Sequence, residues 1–192
     1  MSTTSSRLVH YYVATTVDGF IARADGSFDC FPTEGDHLAA YLESLAGFDT
    51  VLMGRKTYEV GLRHGVTNPY PSMKAIVFSR TMETSPDPNV ELVRTDPAER
   101  VHTLRDEPGG NIYLCGGAAL AGLLLRAGLV DELTVKVNPL VLGEGLPLFS
   151  TLATSAGPVG PIETRLQLRS QRSFDSGVVF VRYRVVPASA VG

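Results

Sequence analysis

Apolar positions fall along this chain in short runs, and their period switches several times between that of a strand and that of a helix. Leu8 to Thr15 is a nearly unbroken β-branched and aromatic run, which predicts a buried first strand. Asp18-Gly19 and Asp25-Gly26 set turns in the loop that follows. Leu38, Tyr41, Leu42 and Leu45 then recur at helical spacing, with Thr33-x-x-Asp36 resembling a capping box and Gly47 as a stop. Thr50 to Met53 reads as a second strand, followed by a short helix at Arg55, a loop holding Asn68, Pro69 and Pro71, and a strand at Lys74 to Phe78. A small strand at Val90 to Val93 precedes a helix with Asp96 as cap, Pro97 at its first position and Glu99 in its first turn; Pro108-Gly109-Gly110 ends it. Ile112 to Cys115 feeds a helix from Ala118 to Ala127, and Leu133 to Val137 is the next strand. Alternating residues from Thr164 to Phe174 and Val178 to Val186, joined by Asp175-Ser176-Gly177, predict a terminal hairpin.

About eight strands and four helices in this order predict an α/β fold, with a predominantly parallel sheet and an antiparallel C-terminal hairpin at one edge. One domain over residues 8–186, with tails at 1–7 and 187–192, accounts for the pattern. The stretch 154–161 is the most linker-like, but a hairpin alone after it is too small to stand as a domain. A hydrophobic content of 44% excludes disorder over most of the length. A net charge of −3 gives no electrostatic reason to expect a nucleic-acid partner. No apolar run reaches the roughly 18 residues of a membrane span, and the polar start lacks a secretion signal. With only Cys30 and Cys115 there is no disulfide framework. The expectation is a soluble, reduced, cytoplasmic protein.

Two junctions carry candidate chemistry. Strand Ile112 to Cys115 enters a helix through Gly116-Gly117, and strand Thr50 to Met53 enters one through Gly54-Arg55-Lys56-Thr57. The first turn of a helix presents unpaired N–H groups and a positive dipole end, and glycine removes the side chain that would hold a phosphate away. Two such ends could seat the two phosphates of a dinucleotide; tight strand–helix packing is the competing explanation for each. Arg55 at a positive helix end is better explained by a phosphate than by solvent, whereas Lys56 reads as solvated.

The segments VATTVDGFIARADG (13–26), VLMGRKTYE (51–59), VFSR (77–80), IYLCGGAALAGLLLRAGLVDEL (112–133) and NPLVLGEGLPLF (138–149) together resemble the dihydrofolate-reductase-like superfamily. The branch they match is that of the reductase domain of the bifunctional riboflavin-biosynthesis deaminase/reductase. The resemblance implies a three-layer fold and an NADPH-dependent reductase. It sets Ala14 against the nicotinamide, and makes Asp18-Gly19-Phe20 a mobile lid with Ile21 as its apolar contact. Gly54, Arg55 and Thr57 would hold the pyrophosphate, and Ser79 and Arg80 the ribose with its 2′-phosphate. In the family the peptide between the glycines matching Gly116 and Gly117 is often cis, and Ala118 and Leu120 follow at the cofactor. No acid stands at the Ser79-Arg80 strand end to take a free 2′-hydroxyl, which favours NADPH over NADH. A dinucleotide fingerprint of the G-x-G-x-x-G kind is missing after the first strand.

The proton donor and the substrate are less determined. Asp36 is the candidate catalytic carboxylate by analogy with folate reductases, with Glu34 behind it, although a capping-box role explains Asp36 in full and is the favoured reading. The chain has no Trp, which sets dihydrofolate behind. His10, His37, His64 and His102 show no ligand spacing with the cysteines, so no metal is expected. A substrate phosphate would need Arg23, Lys74 or Lys136; Gly143-Glu144-Gly145 is either a loop at the active-site mouth or a plain turn. Three readings stay open: a reductase of a C=N or C=O bond in a small heterocyclic or ribosylaminopyrimidine-like substrate, a dihydrofolate reductase, and a catalytically idle dimeric NADPH-binding module. The resemblance also implies a homodimer.

Overall fold

The computed structural model describes residues 7–150 and 163–187. The linker-like stretch 154–161 and most of both predicted tails lie outside them. Ten strands and four helices follow in the order β1 (Val9–Thr16), β2 (Phe20–Ala22), α1 (Asp36–Leu45), β3 (Phe48–Gly54), α2 (Arg55–Arg63), β4 (Lys74–Phe78), β5 (Val90–Val93), α3 (Pro97–Asp106), β6 (Asn111–Cys115), α4 (Ala118–Arg126), β7 (Glu132–Asn138), β8 (Leu146–Pro147), β9 (Arg165–Ser173) and β10 (Val179–Val186). Eight strands form one sheet in the order β5-β4-β3-β6-β1-β7-β10-β9. Its first six strands are parallel, and the terminal hairpin closes one edge antiparallel.

Strand alternation sorts the core into two layers. Val9, Tyr11, Leu52, Ile112, Leu114 and Leu133 pack with Val101 and Leu104 of α3 and Leu120 and Leu124 of α4. Tyr12, Val51, Met53 and Tyr113 face the other way, toward Tyr58 of α2 and Tyr41 and Leu45 of α1. Strands buried on both faces explain why the sequence reads as apolar runs rather than as alternation there. The expected α/β architecture is therefore present, helices covering both faces of a mostly parallel sheet.

Three local expectations need correction. Arg7, assigned to the tail, is 5% exposed; its guanidinium donates to the Gly110 and Leu104 carbonyls and to Asp49 and Thr50, fixing the start of β1. Thr33 and Asp36 form no capping box: Gly35 precedes the helix and Asp36 is its first residue. Its carboxylate instead accepts from the backbone N–H groups of Asp175 and Ser176, at 2.8 and 3.3 Å, pinning the β9–β10 turn to α1. The sequence predicts loop where β2 forms and no element at β8. They are only three and two residues long, and they pair with each other across more than a hundred residues of chain. In α3 the expected cap is present, Asp96 accepting from Ala98 and Glu99.

Candidate functional site

β3 and β6 lie side by side and parallel, with Met53 opposite Cys115. From β3 the chain turns through α2 to β4 on one side; from β6 it turns through α4 to β7 on the other. Neighbouring strands whose connections leave in opposite directions open a crevice at their carboxyl ends, where ligands of open α/β sheets bind. Both glycine junctions noted in the sequence stand at this crevice, side by side.

Gly116 and Gly117 have φ of 56° and 72°, a left-handed conformation that only glycine adopts cheaply. A Cβ on Gly116 would stand 3.1 Å from Thr57 Cγ2, and one on Gly117 3.2 Å from Thr57 Oγ1, so the two junctions touch through Thr57. Gly54 is different. Its φ is −80° and a Cβ there would meet nothing within 4 Å, so neither backbone nor packing requires glycine at this position. Approach by a ligand is what the missing side chain permits. The Gly116–Gly117 peptide is trans, as is every peptide bond among the described residues.

Among the described residues no side chain caps the starts of α2 and α4, nor that of α1, in contrast to the Asp96-capped start of α3. Their first N–H groups are thus free to meet an anion. Arg55 donates to Glu59 at 2.6 Å, one turn on, so its guanidinium already has a carboxylate. Ser79 is 7% exposed, and its Oγ accepts from the N–H groups of Thr81 and Met82, holding the turn after β4. Next to it Arg80 is exposed and has no hydrogen-bond or ion-pair partner among the described residues. Ala118 sits half-buried at the start of α4, its carbonyl accepting from Ser150 N–H. Leu120, expected at the cofactor, belongs instead to the α3–α4 core at 7% exposure.

The expected lid is tied down at both ends. Asp18 accepts from Thr16 Oγ1 at 2.5 Å and from the N–H groups of Leu142 and Gly143, and Gly19 accepts from Leu148 N–H. The Thr16 hydroxyl leads, with those backbone amides, in holding the Asp18 carboxyl below its usual range. Gly143-Glu144-Gly145 is accordingly the partner of the 18–22 segment. A Cβ on Gly145 would come within 2.3 Å of the Ala22 carbonyl, so β2 and β8 pair at a distance only glycine permits. Phe20 packs at this contact, and Ile21 is half-buried against the α3–α4 core.

On the opposite face of the sheet, under α1, half-buried residues converge near the carboxyl ends of β1, β6 and β7. Ala14 is in register with Lys136, and Lys136 with Phe180 of β10. The Lys136 ammonium lies 3.6 Å from the centroid of the Tyr41 ring and 5.4 Å from that of Tyr12. Tyr41 Oη is 3.2 Å from Tyr113 Oη and 3.4 Å from Tyr70 Oη, and Tyr70 Oη is 3.2 Å from Cys115 Sγ. Burial lowers the Lys136 ammonium to about 8, against the opposing pull of Cys115. Burial likewise raises the Cys115 thiol and the hydroxyls of Tyr12, Tyr41, Tyr70 and Tyr113. His10 lies deeper on the same face, 2.7 Å from Thr134 Oγ1, and burial lowers it to about 4, so it is a neutral core residue.

Of the three basic groups considered for substrate, only Lys136 reaches this cleft. Arg23 pairs with Asp29, and Lys74 stands at the amino end of β4 against Glu91 and Glu107. Asp36 is engaged at the hairpin turn, and the N–H groups of Asp175 and Ser176 lower its carboxyl, the wrong direction for a proton donor at neutral pH. Sequence reasoning did not single out the aromatic cluster. Its members come from five strands and helices and the loop before β4, and each one alone reads as core.

Among the described residues there is no metal-binding cluster, and no helix is long and apolar enough to cross a membrane. Cys30 and Cys115 are free thiols. A cavity of about 300 Å³ on the α4 face is lined by Leu125, Val130, Leu133, Phe149 and Val185; it lies away from the glycine junctions and holds no ionisable group.

Known proteins share the fold and part of the sequence. The chain is 33% identical over 170 residues to the Bacillus subtilis protein YwjB, covering 87% of this chain and 92% of that one. It is 29% identical over 147 residues to the riboflavin biosynthesis protein RibD of Mycobacterium tuberculosis, covering 70% of this chain but only 43% of RibD. A crystal structure of a Shewanella sp. PV-4 protein superposes with a TM-score of 0.76 at 24% identity, covering 94% of this chain and 99% of that one, which shows the shared fold. Residues 7–180 match the family described as the RibD C-terminal domain, and the chain belongs to that family.

Proposed function

We propose that this protein is an NADPH-dependent reductase acting on a C=N or C=O bond of a small heterocyclic or ribosylaminopyrimidine-like substrate. The observation that carries the reading is the pair of glycine-led helix starts, without side-chain caps, flanking the β3–β6 crevice. The N–H groups at the starts of α2 and α4 would hold the diphosphate, with Thr57 between them. Arg80, exposed and unpaired among the described residues, would take the 2′-phosphate; a planar guanidinium suits a phosphate dianion. Ala14, half-buried at the carboxyl end of β1, leaves room for the nicotinamide, and the Asp18 latch would keep water from it. NADPH bound there would supply a hydride from nicotinamide C4. The family supports a reductase, and the relative named as a riboflavin biosynthesis protein supports a substrate of that kind of chemistry.

Dihydrofolate as substrate loses ground, because Asp36 is committed to the hairpin turn. The homodimer implied by the resemblance would use the β9 edge, where Leu166 and Leu168 are 42% and 56% exposed. Isothermal titration tests the cofactor. NADPH is expected to bind at micromolar strength and NADH more weakly, and Arg80→Ala is expected to weaken NADPH by roughly tenfold or more with little effect on NADH. Millimolar NADPH binding, or equal losses for both nucleotides, would contradict it. An idle module would bind NADPH equally well but never consume it, so oxidation of bound NADPH by ribosylaminopyrimidines separates the two.

A further inference from the structure

The chain has three lysines. Lys56 follows Arg55 on the exposed side of α2, and Lys74 is paired with two glutamates. Lys136 has neither fate. Its stem rises from the middle of β7 between Ala14 and Phe180, and its ammonium rests on the Tyr41 ring. Among the described residues no carboxylate lies in ion-pair contact with it.

The hydroxyls and the thiol that line its well stay uncharged at neutral pH. β1 contributes Tyr12, α1 contributes Tyr41, β6 contributes Tyr113 and Cys115, and Tyr70 comes from the loop before β4; burial raises every one of these hydroxyls and the thiol. From β7 and β10, Glu132 and Arg182 pair with each other, away from the ammonium. Arg182, which acts on the Tyr12 hydroxyl, and Arg172, over the Phe174 ring, are exposed at its rim, so among the described residues the lysine is the one half-buried charge of this aromatic well without an ion-pair partner. A cation held out of water without a counter-ion destabilises the fold, and stacked rings recover only part of that loss. Such a group is retained where it meets a ligand.

We propose that Lys136 is the substrate-side acid of the cleft: its Nζ hydrogen-bonds to the heteroatom of the C=N or C=O bond of a planar heterocycle and then protonates it. This rests on the dinucleotide reading above, which puts the hydride source beside Ala14, the residue in register with Lys136. The step balances. As the carbon of the double bond gains a hydride, the π pair moves to the nitrogen or oxygen, that atom takes a proton from Nζ, and the neutral amine recovers one from water. The aromatic walls select a flat, conjugated ring, because Tyr and Phe faces stack on such rings and offer nothing to a flexible anion. An ammonium depressed to about 8 also gives up its proton near neutral pH more readily than an exposed lysine.

Competitive acetylation of the intact protein between pH 6 and 11, read peptide by peptide by mass spectrometry, tests this with Lys56 and Lys74 as internal standards. Lys136 is expected to titrate with a midpoint near 8, at least a unit below both standards, and saturating NADPH is expected to slow its labelling several-fold. Three results overturn the proposal: a midpoint equal to the standards, NADPH that binds by calorimetry yet leaves Lys136 labelling unchanged, or no NADPH binding at all. The last removes the dinucleotide reading with it, and a retained low midpoint then traces the failure to the cofactor rather than to the lysine. With a ribosylaminopyrimidine as substrate, kcat is expected to fall as pH rises through about 8. Lys136→Met should lower kcat by about 100-fold with little change in KM, and Lys136→Arg, which keeps the charge but not the acidity, should not restore it. A wild-type kcat in Lys136→Met, full rescue by Lys136→Arg, or no turnover by the wild type overturns the acid role.

Discussion

Around the β3–β6 crevice the molecule offers free backbone and almost no side chains; beneath α1 it offers crowded side chains and almost no free backbone. The first region is made by glycines and helix starts, and each of its two halves is contiguous in the chain. The second is assembled from β1, α1, β6, β7, β10 and the loop before β4, which meet only after the sheet forms. A diphosphate needs N–H groups and a dipole, which any sequence can supply if its side chains stand aside. A particular heterocycle needs particular side chains in particular places. On the proposed reading, the cofactor side could be common to many reductases while the substrate side differs between them.

The largest effect is expected from filling the backbone site. Gly116→Val places a branched side chain at φ 56°, against Thr57. NADPH binding by calorimetry should weaken by about two orders of magnitude, about 3 kcal/mol. The labelling midpoint of Lys136 should stay near 8, because no side chain of the aromatic well is touched. A shift in both would show that the two regions are not independent.

A smaller effect of opposite sign is expected on the other side. Holding the Lys136 ammonium at about 8 rather than its ordinary 10.5 corresponds to at most about 3 kcal/mol of lost stability. Lys136→Met should recover about 1–2 kcal/mol at pH 7, read as a Tm higher by about 3–6 °C. Between pH 8 and 10.5 the folded chain has released a proton that the unfolded chain still holds. Wild-type stability therefore rises with pH across that window, and the advantage of the variant should vanish by its upper end. A variant that is less stable at pH 7, or whose advantage ignores pH, would mean that the lysine is a packing residue.

The same contrast explains what the sequence disclosed. Both glycine junctions, the Asp96 cap and the parallel core strands were legible, because each rests on residues adjacent in the chain or at a fixed period. Ser79 was located at the end of β4 and Leu120 in α4, but one holds a turn and the other fills a core, roles set by tertiary neighbours. Asp36 misled for the same reason: its partners, Asp175 and Ser176, are 139 and 140 residues away. The β2–β8 pair escaped because five residues give no period, and its strongest signal, Gly145, makes sense only beside the Ala22 carbonyl. Lys136 appeared in the sequence as one basic residue among several; what distinguishes it is the ring beneath it and, among the described residues, the lack of a carboxylate in contact.

The claim on which the rest depends is that the starts of α2 and α4 together seat one dinucleotide. A crystal structure of the protein with NADPH tests it most directly. The account expects the diphosphate oxygens within hydrogen-bond distance of N–H groups in the first turns of both helices, and the nicotinamide beside Ala14. A diphosphate bound elsewhere, or contacts to only one helix start with the nicotinamide away from β1, would contradict it.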